Sequence, residues 1–196
     1  MKKDIILAGV GGQGVLSIAA IIARSALAEG LTVRQSEVHG MAQRGGAVLA
    51  HLRIADGIIP SDLVPQGGAD LIISMEVLES LRYAGWLSPQ GALVSSAEPF
   101  INIPDYPEIA VITRVIERFP VYRLIEAVSL AREAGHARSV NMVMVGAGSP
   151  FLPVKPETLE NTIGDIFGAR DPALAEVNLH AFRLGREAAA GKGNAE

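Results

Sequence analysis

The sequence predicts an α/β fold: a Rossmann-like, three-layer arrangement around a mostly parallel sheet. Three observations point there. Short apolar runs that end in glycine alternate with longer Ala-, Ile- and Leu-rich stretches of helical length. The first run leads directly into the glycine turn GVGGQG. Hydrophobic residues make up 49% of the 196-residue chain but aromatic residues only 5%, the balance of a sheet built from Val, Ile, Leu and Ala.

Residues 4–10 form a compact apolar run, as expected of a buried parallel strand. Residues 11–14 are the turn, and residues 15–29 read as a buried helix closed by Gly30. Residues 32–38 read as a second strand. A polar, glycine-punctuated loop lies within SEVHGMAQRGGAV, and residues 47–54 form a third strand of alternating character. If the strands on either side of that loop form a hairpin, the sheet is mixed. DGIIPSDLVPQGG is Pro/Gly punctuation, hence a loop.

Residues 70–75 and 91–95 read as strands, with a helix over 76–85 between them. Apolar Ile109, Ile112, Val115, Ile116 and Phe119 recur at helical spacing between Pro107 and Pro120, so residues 109–119 read as a helix, although their Val and Ile content would also suit a strand. Residues 121–126 read as a strand, SLAREAG as a short helix and residues 138–146 as a helix near the core. Residues 157–167 and 173–190 are amphipathic helices, and residues 191–196 are expected to fray. No linker is long enough to divide residues 1–190 into two domains.

Composition excludes several roles. The net charge is −4 and no basic run exists, so nucleic acid is not the expected ligand. There is no cysteine, which excludes thiolate zinc sites and iron–sulfur clusters held by this chain. The N-terminal MKKDIILAGV is interrupted by Asp4 and followed at once by glycines, so it reads as a strand and not a signal peptide. VLSIAAIIARSALA is too short to span a bilayer. A cytoplasmic protein is expected. The low charge leaves much apolar surface for a partner chain.

Gly9-x-Gly11-x-x-Gly14 stands where a dinucleotide-binding turn belongs, after a strand and before a helix. Glycines let the backbone approach a ligand, and amides at the helix start can hold an anion. A tight turn with no ligand is equally compatible with the pattern. For NAD, an acidic residue is expected about 20 positions on. Glu37 is near that place, but it opens the loop HGMAQRGG, so a phosphate-bearing ligand of another kind is preferred. In that loop Gly40, Gly45 and Gly46 permit unusual backbone, Arg44 offers a fork for phosphate or carboxylate, and Glu37, His39 and Gln43 offer hydrogen bonds.

His51 and Arg53 share one face of a strand, with His51 read as a structural histidine. Ser61 and Asp62 are turn caps. Asn141 within SVNMVMVGA reads as core polarity or a subunit contact, and Glu76 as a helix-start residue only. A Walker lysine is lacking, and no Ser-His-Asp order or metal pair is persuasive.

GVGGQGV, SEVHGMAQRGGAV, HLRI, IPSDLV and LAREAGHARSVNMVMVGA, in that order, resemble the gamma-type subunit family of the 2-oxoacid:ferredoxin oxidoreductases, over roughly three-quarters of the chain. HGMAQRGG points to the indolepyruvate branch. The resemblance implies one subunit of a heteromeric enzyme that oxidatively decarboxylates aryl pyruvates with coenzyme A, giving aryl-acetyl-CoA, CO2 and reduced ferredoxin. It implies that thiamine diphosphate and the iron–sulfur clusters lie on a large alpha subunit, through which ferredoxin is reached. No cofactor is then held by this chain alone, and the chain alone is inactive. By motif position, Gly9, Gly11, Gly12, Gln13 and Gly14 would face the phosphates of coenzyme A. Gln43, Arg44, Gly45 and Gly46 would face the partner's active site. No catalytic role for a single residue follows. A gamma subunit for 2-oxoglutarate, pyruvate or 2-oxoisovalerate, a stand-alone Rossmann-type nucleotide-binding protein, a scaffold whose turn binds nothing and a homodimer of the isolated chain remain open.

Overall fold

The computed structural model describes residues 1–39 and 45–190, the side chain of His39 excepted. Six strands form one sheet in the order β2-β3-β1-β4-β5-β6. They are β1 (Lys2–Val10), β2 (Thr32–His39), β3 (Ala47–Ala55), β4 (Ala69–Ser74), β5 (Leu87–Ser96) and β6 (Val121–Ile125). β1, β4, β5 and β6 run parallel, while β3 is antiparallel to both β1 and β2. The strands flanking the polar loop are therefore a hairpin, and the sheet is mixed.

The helices are α1 (Val15–Ala28), α2 (Val77–Arg82), α3 (Ile109–Ile116), α4 (Ala127–Glu133), α5 (Val140–Gly148), α6 (Pro156–Gly168) and α7 (Pro172–Ala190). The strand alternation sends Ile5, Leu7, Leu71, Ile73 and Val94 into a large core with α1, α5, α6 and α7. It sends Ile6, Ile72 and Leu93 into a smaller one with Val77, Ile112 and Ile116 of α2 and α3. Residues of a central strand are thus covered on both faces, which is why β1 and β4 read as unbroken apolar runs.

Several boundaries differ from the sequence expectation. β2 continues to His39, pairing Ser36 with His51 and His39 with Val48, so the first four residues of SEVHGMAQRGGAV are strand. β5 starts at Leu87, well before the expected residue 91. α2 stops at Arg82, and a separate 3-10 turn covers Ala84–Trp86. α3 stops at Ile116 because its chain tightens: Arg118 and Phe119 N–H groups donate to carbonyls three residues back. α5 is displaced two residues toward the C-terminus. Helix α1 ends at Ala28 with Glu29 as its C-cap, Gly30 follows at φ 77°, and the N–H of Leu31 donates to the carbonyl of Ala26 at 3.0 Å. That bond closes the helix end back on its last turn. Residues 191–196, expected to fray, lie outside the described residues.

Two glycines fix the deepest helix. From Met142 to Gly148, α5 is buried and carries only apolar residues. A Cβ on Gly146 would stand 1.9 Å from the carbonyl oxygen of Phe182, and one on Gly185 would stand 2.0 Å from that of Val143. The backbones of α5 and α7 therefore touch where no side chain could intervene.

The amino ends of the parallel strands are locked by charge. Asp4 and Arg53 face each other across β1 and β3, and Arg53 donates to both Asp4 oxygens, at 2.7 and 3.1 Å. Lys2 adds a second cation at 2.8 Å. Burial pushes the Asp4 carboxyl up, but the hydrogen bonds and charges of Arg53 and Lys2 outweigh it and hold it below its usual range. Arg53 also donates to the carbonyls of Ser61 and Leu63, each at 3.0 Å, pinning the Pro/Gly loop. His51 accepts the N–H of Val64 at 3.1 Å. It is a structural histidine, as expected, and burial followed by the Arg53 charge holds its pKa below the ordinary value.

Candidate functional site

At the opposite end of the sheet, the carboxyl ends of β1 and β4 separate two directions of travel. From β1 the chain goes out to β2 and β3 on one side. From β3 it crosses to β4, β5 and β6 on the other. Ligands gather at such a switch point. The turn at residues 11–14 lies there and opens α1. Gly12 (φ 100°) and Gly14 (φ 83°) occupy backbone that L side chains rarely adopt. A Cβ at Gly12 would meet nothing within 4 Å, so that glycine leaves open space beside the backbone.

The other glycine-turn residues do different work. Gly9 is buried, and a Cβ there would come within 2.8 Å of Val15 Cγ2 and 3.0 Å of Met75 Cβ. It lets the turn pack closely on Met75, just past β4. The N–H of Gly11 donates to the carbonyl of Gly46 at 2.8 Å, and the N–H of Gly45 donates back to the Gly11 carbonyl at 3.3 Å. The Gly11 amide is thus already engaged, by the hairpin. Gln13 staples the turn to the end of β1 and to the residue just past β4: its Oε1 accepts the N–H of Val10 at 2.7 Å and its Nε2 donates to the Met75 carbonyl at 3.3 Å.

A cavity of about 390 Å³ opens beside this turn. Gly12, Gln13, Gly14, Glu98, Phe100 and Asn141 are among the residues that line it. α5 opens at its edge, with Arg138 and Val140 at the wall. Asn141 lies so close to the turn that a Cβ on Gly14 would be 3.2 Å from its Nδ2. Its Oδ1 accepts the N–H of Met142 at 3.1 Å. Ser139, next to it, has a buried hydroxyl with no hydrogen-bond partner.

Glu98 shows what this end of the fold attracts. Its carboxylate accepts the N–H groups of Ala127, Val128 and Ser129, at 3.0, 2.8 and 3.3 Å, and the hydroxyl of Ser96 at 2.7 Å. An anion supplied by the chain itself already caps α4. The starts of α1 and α5 face the same cavity, where helix-end amides favour negative groups.

The rim is a strap after β5. Its anchor is Glu76, the N-cap of α2, which accepts the N–H of Glu79 at 2.8 Å and that of Phe100 at 3.2 Å. The Tyr106 hydroxyl also donates to Glu76. Burial, then the hydrogen bond to Glu76 and its charge, push the Tyr106 phenol far above its usual range. Further along, Asn102 Nδ2 donates to the carbonyl of Gly45 at 2.8 Å. The strap therefore joins the cavity wall to the hairpin.

Of the residues expected at the site, the structure brings Gly12, Gln13 and Gly14 to the cavity, and ties Gly11, Gly45 and Gly46 together beside it. Glu37 and His39 lie on β2, one strand beyond β3. Glu37 pairs with Ala50, is exposed and accepts a hydrogen bond from Gln35 at 3.5 Å. Because β3 stands between β1 and β2, Glu37 does not occupy the place from which an acidic residue reaches a dinucleotide's ribose. Gln43 and Arg44, with Gly40, lie outside the described residues. Asn141, Glu98, Arg138 and Phe100 were missed as site residues. Asn141 is a cavity residue and not simply core polarity, and Glu76 holds the strap as well as starting α2. Among the described residues no group of three His, Asp or Glu is placed to hold a metal ion, and none of their helices is long and apolar enough to cross a membrane.

Comparison with known proteins agrees with this architecture. The chain is 37% identical to the indolepyruvate oxidoreductase subunit IorB of Methanothermobacter thermautotrophicus, over 97% of this chain and 99% of that one. It is 36% identical to the IorB of Pyrococcus horikoshii, over 96% and 97%. The 2-oxoglutarate synthase subunit KorC of Methanothermobacter marburgensis is 31% identical over 95% of this chain and 96% of that one. Among solved structures, the gamma subunit of a keto/oxoacid ferredoxin oxidoreductase from Geobacter sulfurreducens superposes with a TM-score of 0.69, at 22% identity, over 97% of this chain and 99% of that one. The 2-oxoglutarate:ferredoxin oxidoreductase of Magnetococcus marinus gives a TM-score of 0.78 at 22% identity over all of this chain, which matches 32% of that longer polypeptide. The match to the pyruvate ferredoxin/flavodoxin oxidoreductase family runs over residues 4–188, and the chain belongs to that family.

Proposed function

We propose that this chain is the small subunit of a cytoplasmic 2-oxoacid:ferredoxin oxidoreductase of the indolepyruvate type. The complex would convert an aryl pyruvate and coenzyme A to aryl-acetyl-CoA and CO2, passing two electrons to ferredoxin. The observation that carries this reading is the near-full-length identity of 36–37% to IorB subunits. It exceeds the 31% identity to KorC.

Thiamine diphosphate would supply the decarboxylation chemistry and iron–sulfur clusters the electron path, both on a large partner subunit. A chain with no cysteine offers no thiolate for such a cluster. The part left to this chain is to bind and orient coenzyme A. The cavity beside Gly12–Gly14 suits it: helix-start amides for phosphate, Arg138 at the wall, and Met75, Phe100 and Val128 as apolar surface. The Magnetococcus enzyme, whose fold this chain shares, was solved with coenzyme A bound. Alone, the chain would be inactive.

The test is purification of the tagged chain from its own cells. A large subunit containing thiamine diphosphate should co-purify, and the complex should reduce ferredoxin faster with indolepyruvate than with 2-oxoglutarate or pyruvate. Failure to recover such a partner would overturn the assignment, and a preference for 2-oxoglutarate would move it to the KorC type. Within the complex, Arg44→Ala should lower acyl-CoA formation at least tenfold. Unchanged turnover together with unchanged coenzyme A affinity would remove the hairpin loop from the site.

A further inference from the structure

Among the described residues, five polar side chains line the cavity beside the glycine turn: Gln13, Ser96, Glu98, Arg138 and Asn141. Three of them are already engaged inside the protein. Gln13 uses its Oε1 on the N–H of Val10 and its Nε2 on the carbonyl of Met75. The Ser96 hydroxyl donates to Glu98, and the Glu98 carboxylate also accepts the three N–H groups at the start of α4. Arg138 and Asn141 remain. No described residue accepts a hydrogen bond from the Arg138 guanidinium or from Asn141 Nδ2. The side-chain capacity left in the cavity is therefore donor only, which suits an anion.

The Asn141 amide has a fixed sense. Its Oδ1 lies 3.1 Å from the Met142 nitrogen, whose N–H it shares with the Ser139 carbonyl at 2.9 Å. An NH2 group in that place would meet the N–H donor to donor, so the oxygen belongs there. Nδ2 is then turned toward Gly14, close enough to stand 3.2 Å from a Cβ if that residue had one. α1 begins at the next residue. A phosphate held at the start of α1 lies beside the Asn141 NH2.

We infer that Asn141 recognises the diphosphate of coenzyme A through Nδ2, with the exposed Arg138 adding positive charge at the rim. The inference rests on the coenzyme A reading above and adds to it the side chain that selects for phosphate. The diphosphate and not the 3′-phosphate is assigned, because Asn141 is half-buried against the turn, where helix-start amides gather.

Two substitutions separate this role from a structural one. Asn141→Asp keeps an acceptor for the Met142 N–H, in the first turn of α5 where negative charge is favourable, but puts a like charge where the donor stood. Asn141→Ala removes acceptor and donor together. For stability the order should be Asp at least equal to Asn, and both above Ala. For affinity it should be Asn, then Ala, then Asp.

The complex of this chain with its large subunit is titrated calorimetrically with coenzyme A and with dephospho-coenzyme A, which lacks the 3′-phosphate. The melting temperature of each complex is recorded alongside. Asn141→Asp should melt no lower than wild type yet bind both ligands at least tenfold more weakly, with Asn141→Ala between the two in affinity. Wild-type affinity in Asn141→Asp, or an affinity order that follows the melting temperatures, overturns the inference and leaves the coenzyme A site standing. So does an Asn141→Asp complex that fails to assemble or melts lower, which would mark a structural residue. Weakening of coenzyme A alone, with dephospho-coenzyme A unaffected, would place Asn141 at the 3′-phosphate and overturn the diphosphate assignment. If the wild-type complex binds neither ligand, the coenzyme A reading itself falls and the role of Asn141 with it.

Discussion

The two ends of the sheet are built on opposite principles. At the amino end, the buried Asp4 and Arg53 are paired with one another, the exposed Lys2 adds a second cation to Asp4, and Arg53 also holds two loop carbonyls. At the carboxyl end, glycines keep side chains away and the chain leaves cavities beside one turn. The first arrangement gains rigidity from groups that have no freedom to find other partners. The second keeps hydrogen-bonding capacity in reserve for something that is not part of the chain. A buried ion pair and an open anion site use the same chemistry, and what differs is whether the protein supplies both halves.

The largest expected contrast comes from breaking the closed end. Arg53→Met leaves the buried Asp4 with Lys2 alone and releases the loop at Ser61 and Leu63. A loss of about 3–5 kcal/mol is expected in urea unfolding, because removing one partner strands the other charge. Ligand binding by the molecules that remain folded should not change. An Arg53→Met chain as stable as wild type would show that the pair is idle.

Acid should attack the same end. His51 and Asp4 both have folded pKa values held below their unfolded ones. Each therefore stabilises the fold above its unfolded pKa, and that contribution is lost as pH falls. The decline should begin below about 6.5 through His51 and steepen below about 3.9 through Asp4. In Arg53→Met both slopes should shrink. Chemical denaturation at a series of pH values reads this directly.

At the open end the order of effects reverses. Gly12→Ala forces a side chain onto φ 100° but meets no neighbour. It should cost only about 1–2 kcal/mol of stability, yet weaken coenzyme A at least tenfold by intruding on the cavity that Gly12 lines. If stability fell steeply and affinity held, the turn would be structural and not a binding element. The smallest effect is expected for Tyr106→Phe. Removing its hydroxyl should cost about 1 kcal/mol, since Glu76 keeps its bonds to Glu79 and Phe100. The looser strap should raise the KM for coenzyme A with kcat unchanged, a split that steady-state kinetics of the complex would detect.

What the sequence made legible follows the same division. Strands β1 and β4 and helix α1 are encoded locally, by apolar runs bounded by glycine, so their places could be read within a residue or two. The hairpin was suggested by the density of glycine between two apolar stretches. Gly12, Gln13 and Gly14 were legible as cavity residues because a strand, a glycine turn and a helix in succession define a switch point almost alone. Glu98 and Asn141 were not. They stand 84 and 127 positions after Gly14 (98 − 14 and 141 − 14), and only the packing of β5 and α5 brings them to the turn. The place of Glu98 just past a strand's carboxyl end was the one available signal. Glu37 is the complementary case. Its distance along the chain suits a dinucleotide site, but the strand carrying it is displaced outward by β3, and spacing alone does not report strand order. Pro107 and Pro120 bracketed α3 correctly, although the tightening of its last turn was invisible in the apolar spacing.

The glycine contact between α5 and α7 bears on how the chain is made. Beyond Asn141, α5 is apolar and buried, and it leaves the ribosome before the helix that shields it has been synthesised. Until Gly185 has settled against Val143, a greasy rod with no charged flank is open to any sticky surface nearby. Newborn copies should therefore lean on chaperones late in translation, and ones that lose α7 to a premature stop should be destroyed instead of accumulating as a smaller working protein.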